Sequence, residues 1–219
     1  MTTDNRAQQS LREALFAYIA FAGLSTASRL FLPMFWLVIL TGITFPLLWG
    51  KLTGRWEALG VTRHNLGQAL LWGAGVGITG AAYIFWSASR NPPLASPGLG
   101  VQLAVGIPLA LLIVAPFQEF FFRSWLQPRL EEALGPWRGL VVTAVSFAFW
   151  HLLPPFEGSA TSSIQTSSLG GILTTLAMGL GLGYIFQRTR SIVAPWLAHA
   201  MMIIATIAVG AMTIVQYAP

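Results

Sequence analysis

Residues 107–130 read IPLALLIVAPFQEFFFRSWLQPRL. The stretch is apolar over a length close to the roughly 20 residues that a helix needs to cross a bilayer. Yet it carries Gln118, Glu119 and Arg123 in its middle. An ionised group at that depth costs roughly 2.5–3.5 kcal/mol on insertion scales unless it is paired or solvated. Arg123 follows Glu119 by four positions, which sets both on one helix face where carboxylate and guanidinium can pair. Two readings stand side by side: an ion pair that fixes helix packing, and a functional site. The other six acidic residues, Asp4, Glu13, Glu57, Glu131, Glu132 and Glu157, fall in the tail, in loops or at helix ends.

The rest of the chain has the same character. Of its 219 residues 55% are hydrophobic and only 9% charged, against about a quarter charged in soluble domains. So few charges do not cover a water-facing surface, and mean hydropathy is +0.67. The expected covering is lipid. Nine Trp and 14 Phe suit membrane interfaces and tight helix packing. The net charge of +5 comes without a Lys/Arg run or aromatic-basic interleaving, which argues against nucleic acid as a partner. With no cysteine there is no disulfide, thiolate nucleophile or thiolate metal site. The polar N-terminal stretch leads into an apolar run without a clean small-residue cleavage pattern, so a retained first span is expected.

Seven apolar segments are expected to span, at about residues 11–28, 30–50, 69–87, 101–134, 137–153, 169–186 and 192–215. Pro108, Pro116 and Pro128 predict kinks or a break in the fourth, and Gly135-Pro136 ends it. The linker 51–68 is polar and partly amphipathic, as expected of an interfacial segment, and His64 within it is expected at the surface. The stretches SRNPPLASPGLG and PPFEGSATSSIQTSS read as loops, the second as a flexible connector with a gate as the other reading. An N-terminus in the cytoplasm puts Arg6, Arg12, Lys51, Arg55, Arg63, Arg129, Arg138, Arg188 and Arg190 inside and only Arg29 and Arg90 outside. The expected fold class is therefore an all-α, polytopic transmembrane helical bundle of about seven spans, N-terminus cytoplasmic. Residues 1–100 form its N-terminal helices and interfacial linker, and residues 101–219 its core helices, in one integrated bundle.

His151 ends one apolar run, VVTAVSFAFWHLL, and His199 lies inside another, IVAPWLAHAMMIIATIAV. A lone intramembrane histidine usually serves packing. Two of them beside a Glu-Arg pair, in a chain with 3 His, suggest one polar pocket. At about 1.5 Å rise per residue, all three helices can bring their residues to one depth. Such a pocket can move protons, activate water or ligate a metal. The Gly179-Leu-Gly-Leu-Gly183 run has no strand before it and reads as close helix packing, not a nucleotide loop.

The order APFQEFFFR (115–123), FAFWH (147–151) and GLGLGYIFQRTRSIVAPWLAHAMM (179–202) resembles the CPBP family, the CAAX prenyl protease and bacteriocin-processing proteins, also called the Abi family. Its pattern is Glu-Glu-x-x-x-Arg, then Phe-x-x-x-His, then His-x-x-x-Asn. The resemblance covers about residues 101–210 and implies an intramembrane endopeptidase, similar to the type II CAAX prenyl endopeptidase, integral to a bacterial-type plasma membrane. It implies a peptide or protein substrate at the bilayer.

Two positions depart from the pattern. Gln118 stands where the resemblance calls for the water-activating glutamate, and Ile203 where it calls for asparagine. A neutral amide is no base. The Gln118 departure has three readings: an introduced glutamate-to-glutamine exchange that silences the site, Glu119 taking over as base although it points about 100° away, or a natural pseudoprotease. Ile203 removes a polar group expected at the oxyanion. By the resemblance, His151 orients or activates the water, His199 stabilises the oxyanion or ligates a metal, and Glu119 with Arg123 supports them. No obligatory cofactor is expected. Glu119, His151 and His199 would be the three ligands if a zinc ion were used. The alternative function is a catalytically silent, protease-like membrane protein that binds a peptide or lipidated partner or acts as an immunity factor. A proton-coupled transporter is a third reading, without the inverted repeat such folds often show.

Overall fold

A backbone in an apolar setting must satisfy its N–H and C=O groups within its own segment, which for a single chain stretch means a helix. The computed structural model describes residues 3–28, 30–31, 33–90, 98–153 and 169–214, and these form seven helices with no strand among them. They are α1 (Thr3–Ala27), α2 (Pro33–Thr53), α3 (Leu66–Arg90), α4 (Leu99–Leu134), α5 (Pro136–Trp150), α6 (Leu169–Thr189) and α7 (Val193–Ala208). Among the described residues the regular structure is thus all-helical, as the composition predicts. Four helices, α2, α3, α4 and α6, are long and apolar enough to cross a membrane. α7 is apolar but has 16 residues, α5 has 15, and α1 opens on a polar stretch. Seven crossings are expected from the sequence; helix length and composition carry four.

α4 differs from its expectation. Its prolines predict kinks or a break, but it runs unbroken for 36 residues. Two stretches, Ala110–Val114 and Phe120–Leu126, widen into π turns. The Ala115 N–H bonds to the Ala110 carbonyl and the Gln127 N–H to the Phe122 carbonyl, five residues back in each case. Each wide stretch lies between two prolines. Pro116 and Pro128 have no N–H to give the preceding turn, and the wider turn absorbs the defect without breaking the helix. The segment between them, Ala115–Glu119, is wholly buried and carries Gln118 and Glu119. The helix ends where expected, at Gly135, whose φ of +86° no β-carbon residue adopts easily.

α7 stops at Ala208, seven residues short of the expected end at 215. Gly210 turns into the left-handed region, its N–H bonds to Ile207 O, and Ala211 N–H reaches back to Thr206 O. That bond pair is a Schellman cap, which satisfies the last carbonyls and ends the helix. The linker 51–68 is docked onto the bundle. Leu59 is fully buried, and Ile192 N–H donates to Gly60 O at 3.0 Å.

Two packing regions position the site. α1, α2, α4 and α5 share a core of Phe21, Val38, Ile39, Phe117, Phe121, Phe122, Phe147 and Trp150. Phe21 stacks on Phe121, and the Trp150 indole N–H donates to Ser25 Oγ at 2.7 Å. Gly42 lets α2 close onto α4: a β-carbon there would lie 2.6 Å from Phe117 O. On the other side α3 lies against α7. Gly73 and Gly77 face Ala194 and Ala198, the small-residue spacing that lets helices meet closely in lipid.

Candidate functional site

Glu119 sits at the centre, with no exposure to solvent. Its Oε1 accepts from His199 Nδ1 at 2.6 Å, so α4 and α7 are joined through a carboxylate–imidazole contact. Its Oε2 faces Arg123 Nε at 3.3 Å, one turn along α4. This is a charge contact whose angle is too poor for a hydrogen bond. Arg123, also fully buried, donates from Nη2 to Gly179 O on α6 at 3.3 Å. Its guanidinium carbon lies 4.2 Å from the centre of the Phe147 ring, a cation–π contact from α5.

Phe147 does more than cover the arginine. Its carbonyl oxygen is 2.8 Å from His151 Nδ1, which makes that nitrogen the N–H donor and fixes the ring. Its own ring lies 4.3 Å from the His151 ring and 6.1 Å from the His199 ring, edge-on to both. Phe147 therefore contacts His151, His199 and the Arg123 guanidinium alike. Glu119 and Arg123 bring opposite charges together in the buried cluster, the pairing under which burial of ions is tolerable.

The residues singled out by sequence thus fall into three kinds. Glu119, Arg123 and His199 are in direct contact. His151 shares the Phe147 ring as a neighbour with His199 and Arg123. Gln118 adjoins Glu119 in the chain but bonds to none of them, and its Oε1 is sealed from solvent with no partner. Glu119 does not stand open to a water in place of the missing carboxylate, because it is fully buried with both oxygens engaged. No group of three or more His, Cys, Asp or Glu placed to hold a metal ion occurs among the described residues. The Arg123 guanidinium at Oε2 opposes a cation there, and His151 Nδ1 is turned to a carbonyl. Ile203 packs with Ala110, Ala115, Ala200 and Ile207, an apolar patch with no donor for an oxyanion.

Two parts of the surroundings carry no sequence signal. One is the Gly179 carbonyl under Arg123. The other is Glu131, which accepts from Gln127 (2.7 Å), Gln187 (2.9 Å) and Arg190 (2.8 Å) and ties the end of α4 to the end of α6. The Gln127–Glu131 pair shows the four-residue helical spacing, but the partners from α6 need the fold. His64 is exposed as expected. The Ser/Thr-rich loop that reads as a connector or gate lies outside the described residues. An apolar cavity of about 320 Å³ between α1, α2 and α4, lined by Phe16, Phe21, Phe45 and Phe121, includes none of the site residues.

Comparison with known families finds one match. The model described as type II CAAX prenyl endopeptidase Rce1-like matches residues 100–205. That span runs from the start of α4 into α7 and holds every residue of the cluster. No curated protein and no solved structure gave a match.

Proposed function

We propose, from the match of residues 100–205 to the family model described as type II CAAX prenyl endopeptidase Rce1-like, that the chain is an intramembrane endopeptidase. It hydrolyses a peptide bond of a membrane-associated, C-terminally tagged substrate by attack of an activated water. The observation that carries this reading is the 2.6 Å contact between His199 Nδ1 and Glu119 Oε1. A packing ion pair needs only Glu119 and Arg123. It has no use for an imidazole oriented on the carboxylate and a second imidazole fixed by its own Nδ1 against a shared aromatic ring. Oriented imidazoles are what proton transfer to and from a reacting group requires.

In this reading His151 and His199 handle the water and the tetrahedral intermediate, and Arg123 and Phe147 hold the cluster in place. Gln118 is the weak point. Its amide has nearly the shape of a carboxylate but takes no proton, so it keeps substrate contacts while lowering turnover. The bundle sits in a bacterial-type plasma membrane with its N-terminus in the cytoplasm, following the nine-to-two bias of basic residues across the seven segments.

A second reading is favoured by one specific pair of facts. Gln118 is no base, and Glu119 has both oxygens engaged. A silent protein with a protease scaffold, binding a peptide or lipidated partner, has the same two features. Purified protein in liposomes separates the readings. Three probes are offered: a farnesylated peptide with a C-terminal CAAX sequence, a bacteriocin-precursor peptide and a C-terminal sorting-signal peptide. Cleavage of one of them, raised by Gln118→Glu and abolished by His151→Ala, supports the endopeptidase. Binding without cleavage by both forms supports the silent scaffold.

A further inference from the structure

We propose that the Glu119–His199 pair is the water-activating base of this chain, standing in for the carboxylate that position 118 lacks. The inference rests on the endopeptidase reading and reassigns a residue within it. The resemblance makes His199 an oxyanion donor; with Nδ1 donating to Glu119, the neutral ring instead presents Nε2 as an acceptor.

The argument begins with the proton between the two groups. A carboxylate beside a guanidinium is ionised and only accepts, so at 2.6 Å the hydrogen belongs to His199 Nδ1. In a neutral imidazole with Nδ1–H, the other nitrogen is an acceptor. Nε2 of His199 can therefore take a proton from water and has none to give an oxyanion. That nitrogen makes no hydrogen bond to any described residue and is not among the polar atoms sealed without a partner. The carboxylate cannot swing away, because Arg123 faces its second oxygen and is itself held by Gly179 O and the Phe147 ring. The charged and titratable groups facing the imidazole are Glu119 and Arg123 from α4 and His151 from α5. Glu119 is the one in contact, and it stabilises the imidazolium that forms. The alternatives next to the site do not serve: Gln118 is an amide, and Ile203 lies in an apolar patch.

The step balances without a co-reactant. One water proton passes to His199 Nε2 as the water oxygen bonds to the scissile carbonyl carbon, and the carbonyl π pair becomes the oxyanion. When the intermediate collapses, the C–N bond breaks and the proton on Nε2 goes to the leaving nitrogen. The products are a carboxyl group and an amine, and His199 is neutral again.

The test uses the full chain in liposomes with the farnesylated CAAX peptide as probe. Four forms are compared with the unaltered protein: His199→Asn, Glu119→Gln, Gln118→Glu and the double form His199→Asn/Gln118→Glu. Asparagine keeps an N–H for Glu119, so the buried ion pair is not stranded, but it cannot take a proton. The proposal expects the unaltered chain to cut. It expects kcat to fall by about 10²–10⁴ in His199→Asn, the range of general-base contributions, with KM little changed. It also expects at least a tenfold return of kcat when Gln118→Glu is added to His199→Asn. Activity of His199→Asn within threefold of the unaltered chain overturns it. So does an unaltered chain that is inert while Gln118→Glu cuts, because then nothing stands in for the carboxylate. If no form cuts this peptide or either of the other two probes, the endopeptidase reading falls and this inference with it. Nitrogen NMR of histidine-labelled protein reads the pair without catalysis. Nδ1–H for His199, lost in Glu119→Gln, is the expected result, and Nε2–H in the unaltered chain contradicts the assignment.

Discussion

Replacing Arg123 by methionine tests whether the buried cluster holds the bundle together. Methionine fills most of the volume but removes the charge, leaving Glu119 with no cation at a site of zero exposure. Breaking a buried ion pair by deleting one partner costs about 3–5 kcal/mol, mainly because the remaining charge is stranded. Three contacts are lost: Glu119 Oε2 at 3.3 Å, Gly179 O at 3.3 Å and the Phe147 face at 4.2 Å. Both polar contacts are long, and His199 still donates to Oε1. The expected cost is therefore near the lower end, about 3 kcal/mol. Glu119→Gln alone strands the arginine and should cost a similar amount. The double form Arg123→Met/Glu119→Gln has no stranded charge and should recover about 2 kcal/mol or more relative to the sum of the single changes. Reversible unfolding in mixed micelles, run as a double-mutant cycle, reads these values. A loss under about 0.5 kcal/mol in Arg123→Met, or additive single effects, would refute the claim that the pair is a coupled buried unit.

Further outcomes follow from the same packing. Gly42→Ala places a β-carbon 2.6 Å from Phe117 O and should cost about 1–3 kcal/mol by parting α2 from α4; thermal unfolding reads it. Gly60→Ala combines a φ of +71° with a β-carbon 2.9 Å from Ile192 N. It should lower the melting point and speed proteolysis in the linker 51–68, since strained positions of this kind cost about 1–3 kcal/mol. Glu131→Ala removes the acceptor for Gln127, Gln187 and Arg190 and should destabilise by about 2–3 kcal/mol, with Glu131→Gln milder; the same unfolding assay separates the two. Trp150→Phe keeps an aromatic ring in the core and loses the bond to Ser25 Oγ. It should cost about 1 kcal/mol and leave activity intact.

Much of the fold can be read from the chain, for identifiable reasons. Apolar runs of membrane length dictate helices, and Gly135-Pro136 marks the α4–α5 break because a positive φ followed by a proline ends a helix by local chemistry alone. The four-residue spacing of Glu119 and Arg123 gives their contact directly. Proline chemistry is legible only in part. It marks α4 as irregular, but the choice between a break and a π turn depends on how the rest of the bundle packs against it, as Trp150 does on Phe117. The early end of α7 was open to view in Gly210, which sits in a run otherwise apolar enough to continue. The site is legible as a set of residues and not as a set of partners. Nothing in the order of residues says that His199 meets Glu119 while His151 turns to the Phe147 carbonyl. That division is set by how α4, α5 and α7 cross. Main-chain acceptors such as Gly179 O are invisible in any sequence, because every residue has one.

The most direct test of the central claim is isotope incorporation during peptide cleavage. The unaltered chain in liposomes is given the farnesylated CAAX peptide in water enriched in oxygen-18, and the fragments are weighed by mass spectrometry. Hydrolysis by an activated water predicts a new C-terminal carboxyl carrying one labelled oxygen, with the yield raised by Gln118→Glu and abolished by His199→Ala. Intact peptide bound by both the unaltered and the Gln118→Glu chains, with no labelled fragment from either, would contradict it.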